Sequence, residues 1–375
     1  MTRTDIDRNP YNRIYHRDDT AMITPKPPGF PCVSDKRSIK LGLIQHACPV
    51  NATREQNLAK AVDMIRDAAG QGAQLIATQE LFTGSYFPQV QDDTRFDLAE
   101  PVPGPTSQTL SDLAKELSVE ITASLFEKRA PGVYHNTSVM IDPTGSILGK
   151  YRKMHIPDDP RFYEKYYFTP GDAPEKTVSD TVSSSAPGHF SPVSCPTAAP
   201  HAVPERSEGA GLSSSSKPIP NPHGFTTQKT RHATTGMLVC WDQWFPEAAR
   251  LTAMQGAEVL FYPTAIAWHK EEADDENQRQ RESWQIIQRS HAIANGVFVA
   301  AINRVGTEDD LTFWGSSFVV DPGGQIIAEA STDQEEVLIA ECDLSLIEST
   351  RRGWPFLRDR RVDAYAGLLS RMLID

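Results

Sequence analysis

No stretch of this sequence approaches the roughly 18 consecutive apolar residues of a membrane-spanning helix, so no membrane span is expected. The opening residues, Met1 to Pro10, are polar and charged where a secretory leader would carry an apolar run, and a cytoplasmic location is the expectation. Basic charge is short: 37 Lys and Arg stand against 49 Asp and Glu, and the basic residues form no long run. A polyanion-binding surface needs clustered cations to displace counterions, so nucleic acid is not an expected partner. Cysteine is scarce. The five present, Cys32, Cys48, Cys195, Cys240 and Cys342, are widely spaced and contain no CxxC pair, which argues against a disulfide framework and against a zinc site. The histidines show no HExxH spacing, and the chain lacks both GxxxxGK[ST] and a strand-associated GxGxxG. Neither a metal nor a nucleotide cofactor is expected, and no repeat of 20 to 50 residues is visible.

What is present is an ordinary globular composition, 39% hydrophobic and 23% charged over 375 residues, enough for one large or two modest cores. Residues 1–38 are rich in proline and charge, with Pro25 to Pro31 blocking regular structure, and read as a flexible arm. Ile39 to Gln45 has a strand pattern, and Asn51 to Gly70 carries Leu58, Ala61, Val62, Ile65 and Ala68 at helical spacing. Ala73 to Glu80 reads as a buried strand ending in a carboxylate, and Ser107 to Ser118 as a helix capped by Thr106 or Ser107. Strands are expected at Glu120 to Phe126, Asn136 to Asp142 and Ser146 to Tyr151.

Residues 173–223 hold nine prolines and eleven serines with few large apolar side chains, and read as a disordered insertion. Beyond it, a strand over Thr235 to Cys240 leads to a helix from Phe245 to Gln255, a strand from Glu258 to Thr264 and a long helix from Asn277 to Ala294. Further strands are expected at Val297 to Asn303, Ser316 to Val320 and Glu336 to Asp343. Such alternation predicts a layered α/β architecture with helices covering the sheets.

Cys240 ends an apolar strand and enters Trp-Asp-Gln-Trp, so its sulfur is placed at a strand-to-helix elbow. A lone cysteine more often packs as a small buried hydrophobe. A nucleophile also needs a base and a group to hold the developing oxyanion. Glu80, closing an apolar run, and Lys153, just past the strand ending at Tyr151, stand at comparable strand ends. Taken singly, each is more simply a solvated charge.

Together, the three segments resemble the nitrilase superfamily. Gln79-Glu-Leu-Phe82 is similar to its Glu block, Tyr151-Arg-Lys-Met-His155 to its Lys block, and Cys240-Trp-Asp-Gln-Trp-Phe-Pro-Glu247 to its Cys block. Further matches run through Phe168 to Asp172, Gln255 to Glu258, Tyr262 to Thr264, Asn303 to Gly306 and Gly315 to Phe318. The resemblance covers residues 39–172 and 224–370 and implies a single catalytic domain, 39–172 with 224–375, folded as an αββα sandwich. It implies Glu80 as general base, Cys240 as nucleophile, and Lys153 with the Trp241 N–H as oxyanion donors, with Glu164 orienting Lys153 and substrate. A nearby lysine is expected to favour the thiolate, and confinement to raise the base's pKa.

The residues after the cysteine bear on the substrate. Carbamoylases for amino-acid products tend to carry arginine there for bidentate carboxylate recognition, and Asp242, Gln243 and Trp244 offer none. The block looks most like carbamoylases whose small-molecule carbamoyl-amine substrate ends in an ammonium group, hydrolysed without a cofactor. Candidate partners for that group are Asp242, Trp244, Trp268, Glu271, Glu272 and Tyr86. The acidic run Glu271 to Glu276 also reads as a solvated loop. The alternatives are another amidase, a ureidopropionase or a nitrile hydrolase of the same superfamily, and, in a different class, a catalytically silent binding protein. A homo-oligomer is implied by the resemblance alone.

Overall fold

Strand β1 (Ser38–Gln45) is buried without interruption from Leu41 onward. The computed structural model describes residues 37–172 and 224–374, so residues 1–36 of the expected arm and the insertion at 173–223 lie outside the described residues, while Ser38, assigned to the arm, opens β1 and pairs with Asp343. Helix α1 (Arg54–Gly70) starts later than its apolar pattern suggests, because Thr53 and Gln56 form a capping box. It buries Asn57, Ala61, Ile65 and Ala68 on one face. Gly42 lets it approach, since a Cβ there would lie 3.0 Å from the Cβ atoms of Ala68 and Ala73.

Strand β2 (Leu75–Thr78) is followed by α2 (Pro105–Leu117). Its cap is Gly104, not Thr106 or Ser107 as expected: Pro105 takes the first helical position, for which its fixed φ is suited, and Ser107 bonds back to Gly104 N–H at 2.8 Å. Strands β3 (Glu120–Ala130), β4 (Val133–Ile141) and β5 (Ile147–Arg152) and the one-turn helix α3 (Glu164–Tyr167) complete the first half. The second half holds β6 (Thr226–Lys229), β7 (Thr234–Met237), α4 (Pro246–Met254), β8 (Val259–Pro263), β9 (Ala267–His269) and α5 (Asp274–Asn295). Then come β10 (Phe298–Ile302), β11 (Val305–Glu308), β12 (Leu311–Trp314), β13 (Phe318–Val320), β14 (Ile326–Glu329), β15 (Glu336–Asp343) and α6 (Ser345–Gly353).

Two six-stranded sheets, ordered β15-β1-β2-β3-β4-β5 and β14-β13-β10-β8-β7-β6, face each other. Helices α1 and α2 cover the first and α4 and α5 the second, giving the αββα sandwich. A continuous apolar core runs between the sheets and under α4 and α5, including Leu41, Leu43, Met140, Phe261, Trp284 and Phe318. Strands β1, β2 and β3 are parallel, as are β7, β8 and β10, so their C-terminal ends gather at one rim. A third sheet, β11-β12-β9, was not anticipated and caps that rim. Asp172 and Gly224, which flank the undescribed segment, are neighbours: a Cβ on Gly224 would lie 3.2 Å from Asp172 O. No helix among the described residues is long and apolar enough to cross a membrane.

Candidate active site

The three side chains singled out for chemistry converge just past strand ends. Glu80 follows β2 by two residues, Lys153 follows β5 directly, and Cys240 follows β7 by three. Cys240 opens a 3-10 turn, Cys240–Trp244, with φ +42°, a left-handed conformation that costs a non-glycine residue on the order of 1–3 kcal/mol. The turn withstands this because it is held from two sides. From α5, Trp284 Nε1 (2.7 Å) and Gln288 Nε2 (3.0 Å) donate to Gln243 Oε1, and His291 Nε2 lies 2.7 Å from Gln243 O. From the other side, Asp242 accepts Val239 N–H (3.0 Å), Tyr151 O–H (2.7 Å) and His155 N–H (3.1 Å), with His155 Nδ1 also at 2.7 Å.

Lys153 and Glu80 are fully buried. Lys153 Nζ donates to Glu80 Oε1 (2.9 Å) and Glu164 Oε2 (2.6 Å). Glu80 Oε1 also accepts from Asn136 Nδ2 at 2.6 Å, while Glu80 Oε2 has no hydrogen-bond partner among the described residues. Asn136 is itself fixed by Ser124 Oγ at 2.9 Å. Tyr86 Oη donates to Glu164 Oε1 at 2.6 Å. Ligand atoms of Glu80, Glu164 and Cys240 all lie within 4.8 Å of one another, a set that could address a cation. The Lys153 ammonium already stands against both carboxylates and supplies that charge in place.

Burial pushes the Cys240 thiol well above its usual range, and the Glu80 charge adds to this. Lys153 and the Ala265 N–H oppose the shift without reversing it. The expected pull of Lys153 toward the thiolate is present, but desolvation outweighs it, so the balance favours the thiol. Burial alone would lower the Lys153 ammonium, but its interactions with the Cys240, Glu164 and Glu80 side chains raise it instead, so it stays charged. Burial raises Glu164 to about 7, against the pull of Lys153 and with a further push from Glu80.

A cavity of about 700 Å³ opens onto Cys240 and is lined also by Trp241, Trp244, Phe162, Glu272 and Glu276, among others. The first bond of the 3-10 turn runs from Asp242 N–H to Val239 O, so the Trp241 N–H precedes the turn's own ladder. Three expected substrate contacts, Asp242, Trp268 and Tyr86, lie outside the cavity wall. The Asp242 carboxylate is fully buried and its acceptors are spent on the protein, which makes it a joint between the turn and β5 rather than a lining group. On β9, Ala267 and His269 line the cavity, whereas Trp268 lies on the strand's other face, its ring tilted against Trp314 at 5.3 Å with Nε1 donating to Asn277 O. Tyr86 stands behind Glu164 rather than in the cavity wall. The acidic run splits: Glu271, Glu272 and Glu276 line the cavity, while Asp274 to Glu276 form the first turn of α5, where the helix dipole favours them. The sequence reading missed Asn136, and it quoted Arg304 and His155 only as motif members.

Two facing sheets sheathed in helices, with a buried thiol, two carboxylates and an ammonium at the shared rim, are the architecture of a thiol-bearing hydrolase. The chain belongs to the carbon-nitrogen hydrolase family, whose model matches residues 40–352. It is 38% identical over 343 residues to an N-carbamoylputrescine amidase of Solanum lycopersicum, covering 89% of this chain and 96% of that one. It is 35% identical over 333 residues to a citrullinase of Francisella tularensis, covering 88% and 97%. Among solved structures, a carbon-nitrogen hydrolase from Helicobacter pylori G27 superposes with a TM-score of 0.74 at 40% identity, covering 90% of this chain and all of that one. The chain is therefore a hydrolase of carbon–nitrogen bonds other than peptide bonds.

Proposed function

We propose that this enzyme hydrolyses N-carbamoylputrescine to putrescine, carbon dioxide and ammonia through a carbamoyl-thioester on Cys240. The observation that carries the reading is the cavity: it starts at Cys240 and is walled by the carboxylates of Asp159, Glu271, Glu272 and Glu276 against one arginine, Arg279. A carbamoyl group at the thiol and an ammonium among carboxylates suit a mono-carbamoylated diamine.

In this reading, Glu80 takes the thiol proton on Oε2, its unpartnered oxygen, as sulfur attacks the carbamoyl carbon. The oxyanion is met by the Trp241 N–H and by the third N–H of Lys153, whose other two are occupied by Glu80 and Glu164. Collapse expels one nitrogen with the proton held by Glu80. Water, deprotonated by the same carboxylate, then releases the thioester as a carbamate, which loses carbon dioxide. Keeping the thiol neutral at rest and the base paired with Lys153 means that charge separates only when substrate is present. Residues 39–172 and 224–375 act as one catalytic domain, and the enzyme works as a cytoplasmic homo-oligomer.

Citrulline is a second reading, favoured by Arg279 in the cavity wall, which could face a substrate carboxylate. Its pairing with Glu276 weakens that case. Ammonia release by the purified protein from N-carbamoylputrescine, citrulline, N-carbamoyl-β-alanine and a nitrile decides. Turnover of any of the last three in preference to the first would overturn the proposal.

A further inference from the structure

Six buried residues close a hydrogen-bonded ring around the site through their side chains, the Tyr86 N–H and the Glu80 carbonyl. Arg304, between β10 and β11, donates from Nη2 to the carbonyls of Glu80 (2.9 Å) and Leu81 (3.1 Å), and from Nη1 to Gly84 O (3.3 Å). The same Nη1 meets both oxygens of Glu308, at 2.8 and 3.0 Å. Glu308 Oε2 accepts the Tyr86 N–H, Tyr86 Oη donates to Glu164, and Glu164 and Glu80 meet at Lys153. None of the six side chains is more than 1% exposed.

The segment from Glu80 to Tyr86 forms no helix or strand, and Leu81 sits at φ +49°. The buried Glu80 carbonyl takes its hydrogen bond from Arg304, and the same guanidinium adds donors to Leu81 O, already met by Gly84 N–H, and to Gly84 O in fixed geometry. A buried cation needs a counter-charge, and Glu308 provides it. The ring then holds two cations and three carboxylates. Neutralising Arg304 would leave the site with excess negative charge next to a thiol that must ionise.

We propose that Arg304 and Glu308 are positioning residues for catalysis: Arg304 fixes the segment that delivers Glu80, and Glu308, through Tyr86, fixes Glu164, so the pair sets the spacing of the two carboxylates about Lys153. This rests on the catalytic roles assigned above. It differs from a plain structural brace, which would alter stability without altering the rate of the chemical step or its pH dependence.

The test uses full-length R304K, E308Q, E308A and Y86F proteins. The readouts are kcat and KM with whichever substrate the enzyme turns over, the pH profile of kcat/KM, and the rate at which iodoacetamide alkylates Cys240, with C240A as background. A lysine at 304 reaches fewer of the carbonyls, so R304K should lower kcat and the alkylation rate by about 10- to 100-fold with KM little changed. E308Q, which keeps an acceptor for Tyr86 N–H, should retain more activity than E308A. Y86F removes a donor to Glu164, favours its protonated form, and should move the acid limb of the profile upward. Wild-type kcat and alkylation in R304K, with an unmoved profile in Y86F, would overturn the proposal. Should R304K fail to fold, Y86F decides, because its ring packing is kept. Persistent activity of C240A or E80Q would instead remove the catalytic assignments, so the two failures are distinguishable.

Discussion

Asp242 accepts the phenolic hydrogen of Tyr151 at 2.7 Å, and through that bond the turn carrying Cys240 is fastened to the strand that delivers Lys153. The same carboxylate takes the Val239 and His155 N–H groups, so the proposed nucleophile and the proposed oxyanion donor share one joint. Asp242→Asn would turn an amide N–H toward donors. The expected outcome is a loss of about 2–4 kcal/mol in unfolding free energy and a lower kcat at nearly unchanged KM, read by urea denaturation and ammonia release. An amine-binding role for Asp242 would show the reverse, a raised KM at unchanged stability.

That joint marks where sequence reading stops. The strands and helices were legible from their periods of two and 3.6, and the placing of Glu80, Lys153 and Cys240 at comparable strand ends from the apolar runs before Glu80 and Cys240 and the strand before Lys153. Tyr151 and Asp242 are 91 positions apart, and Arg304 and the Glu80 carbonyl 224. Pairings at such separation leave no periodicity to detect. The short sheet β11-β12-β9 was missed because strands of three or four residues, one containing Gly306 at φ +97°, carry too little pattern. The pull of Lys153 on the thiol was legible, whereas the larger opposing effect of desolvation was not, because burial leaves no mark in a sequence.

Glu164 should make stability and activity respond to pH in opposite directions. Its folded-state pKa is raised from 4.5 to about 7, so the folded protein holds a proton that the unfolded chain has already released. The stability it contributes is full below about 4.5 and is lost as pH rises through about 7. Orientation of Lys153 needs the ionised form, so kcat/KM should fall as pH drops through the same value. Urea midpoints of the wild type and Glu164→Gln, followed from pH 5 to 8, should diverge in slope. A constant difference between the two would sink the assignment.

Cys240→Ala should abolish turnover, by at least about 10³-fold, because no other described thiol meets the cavity: Cys48 and Cys342 are buried elsewhere in the core. Stability should stay within about 1 kcal/mol, since alanine keeps the left-handed backbone and loses only a small buried atom. Circular dichroism and thermal melting check the fold, and single-turnover ammonia release checks the chemistry. Residual activity above that level removes Cys240 from its role.

Glu272 is the carboxylate best prepared to receive a substrate ammonium. It is half-buried in the cavity wall, and His269 N–H and Gln280 Nε2, each at 3.0 Å, hold its two oxygens in place. A fixed carboxylate spends little entropy on ordering when a cation arrives, whereas Glu276 is already engaged by Arg279 and Glu271 is exposed. A solvent-accessible charge pair contributes about 1 kcal/mol, so Glu272→Gln should raise KM for N-carbamoylputrescine about 5- to 10-fold at little cost in kcat. The effect should shrink at high salt and vanish for N-butylurea, which carries the same urea without the ammonium. Equal losses on charged and neutral substrates would mean that the substitution deforms the cavity, and the amine would have to be sought at Glu271 or Asp159 instead.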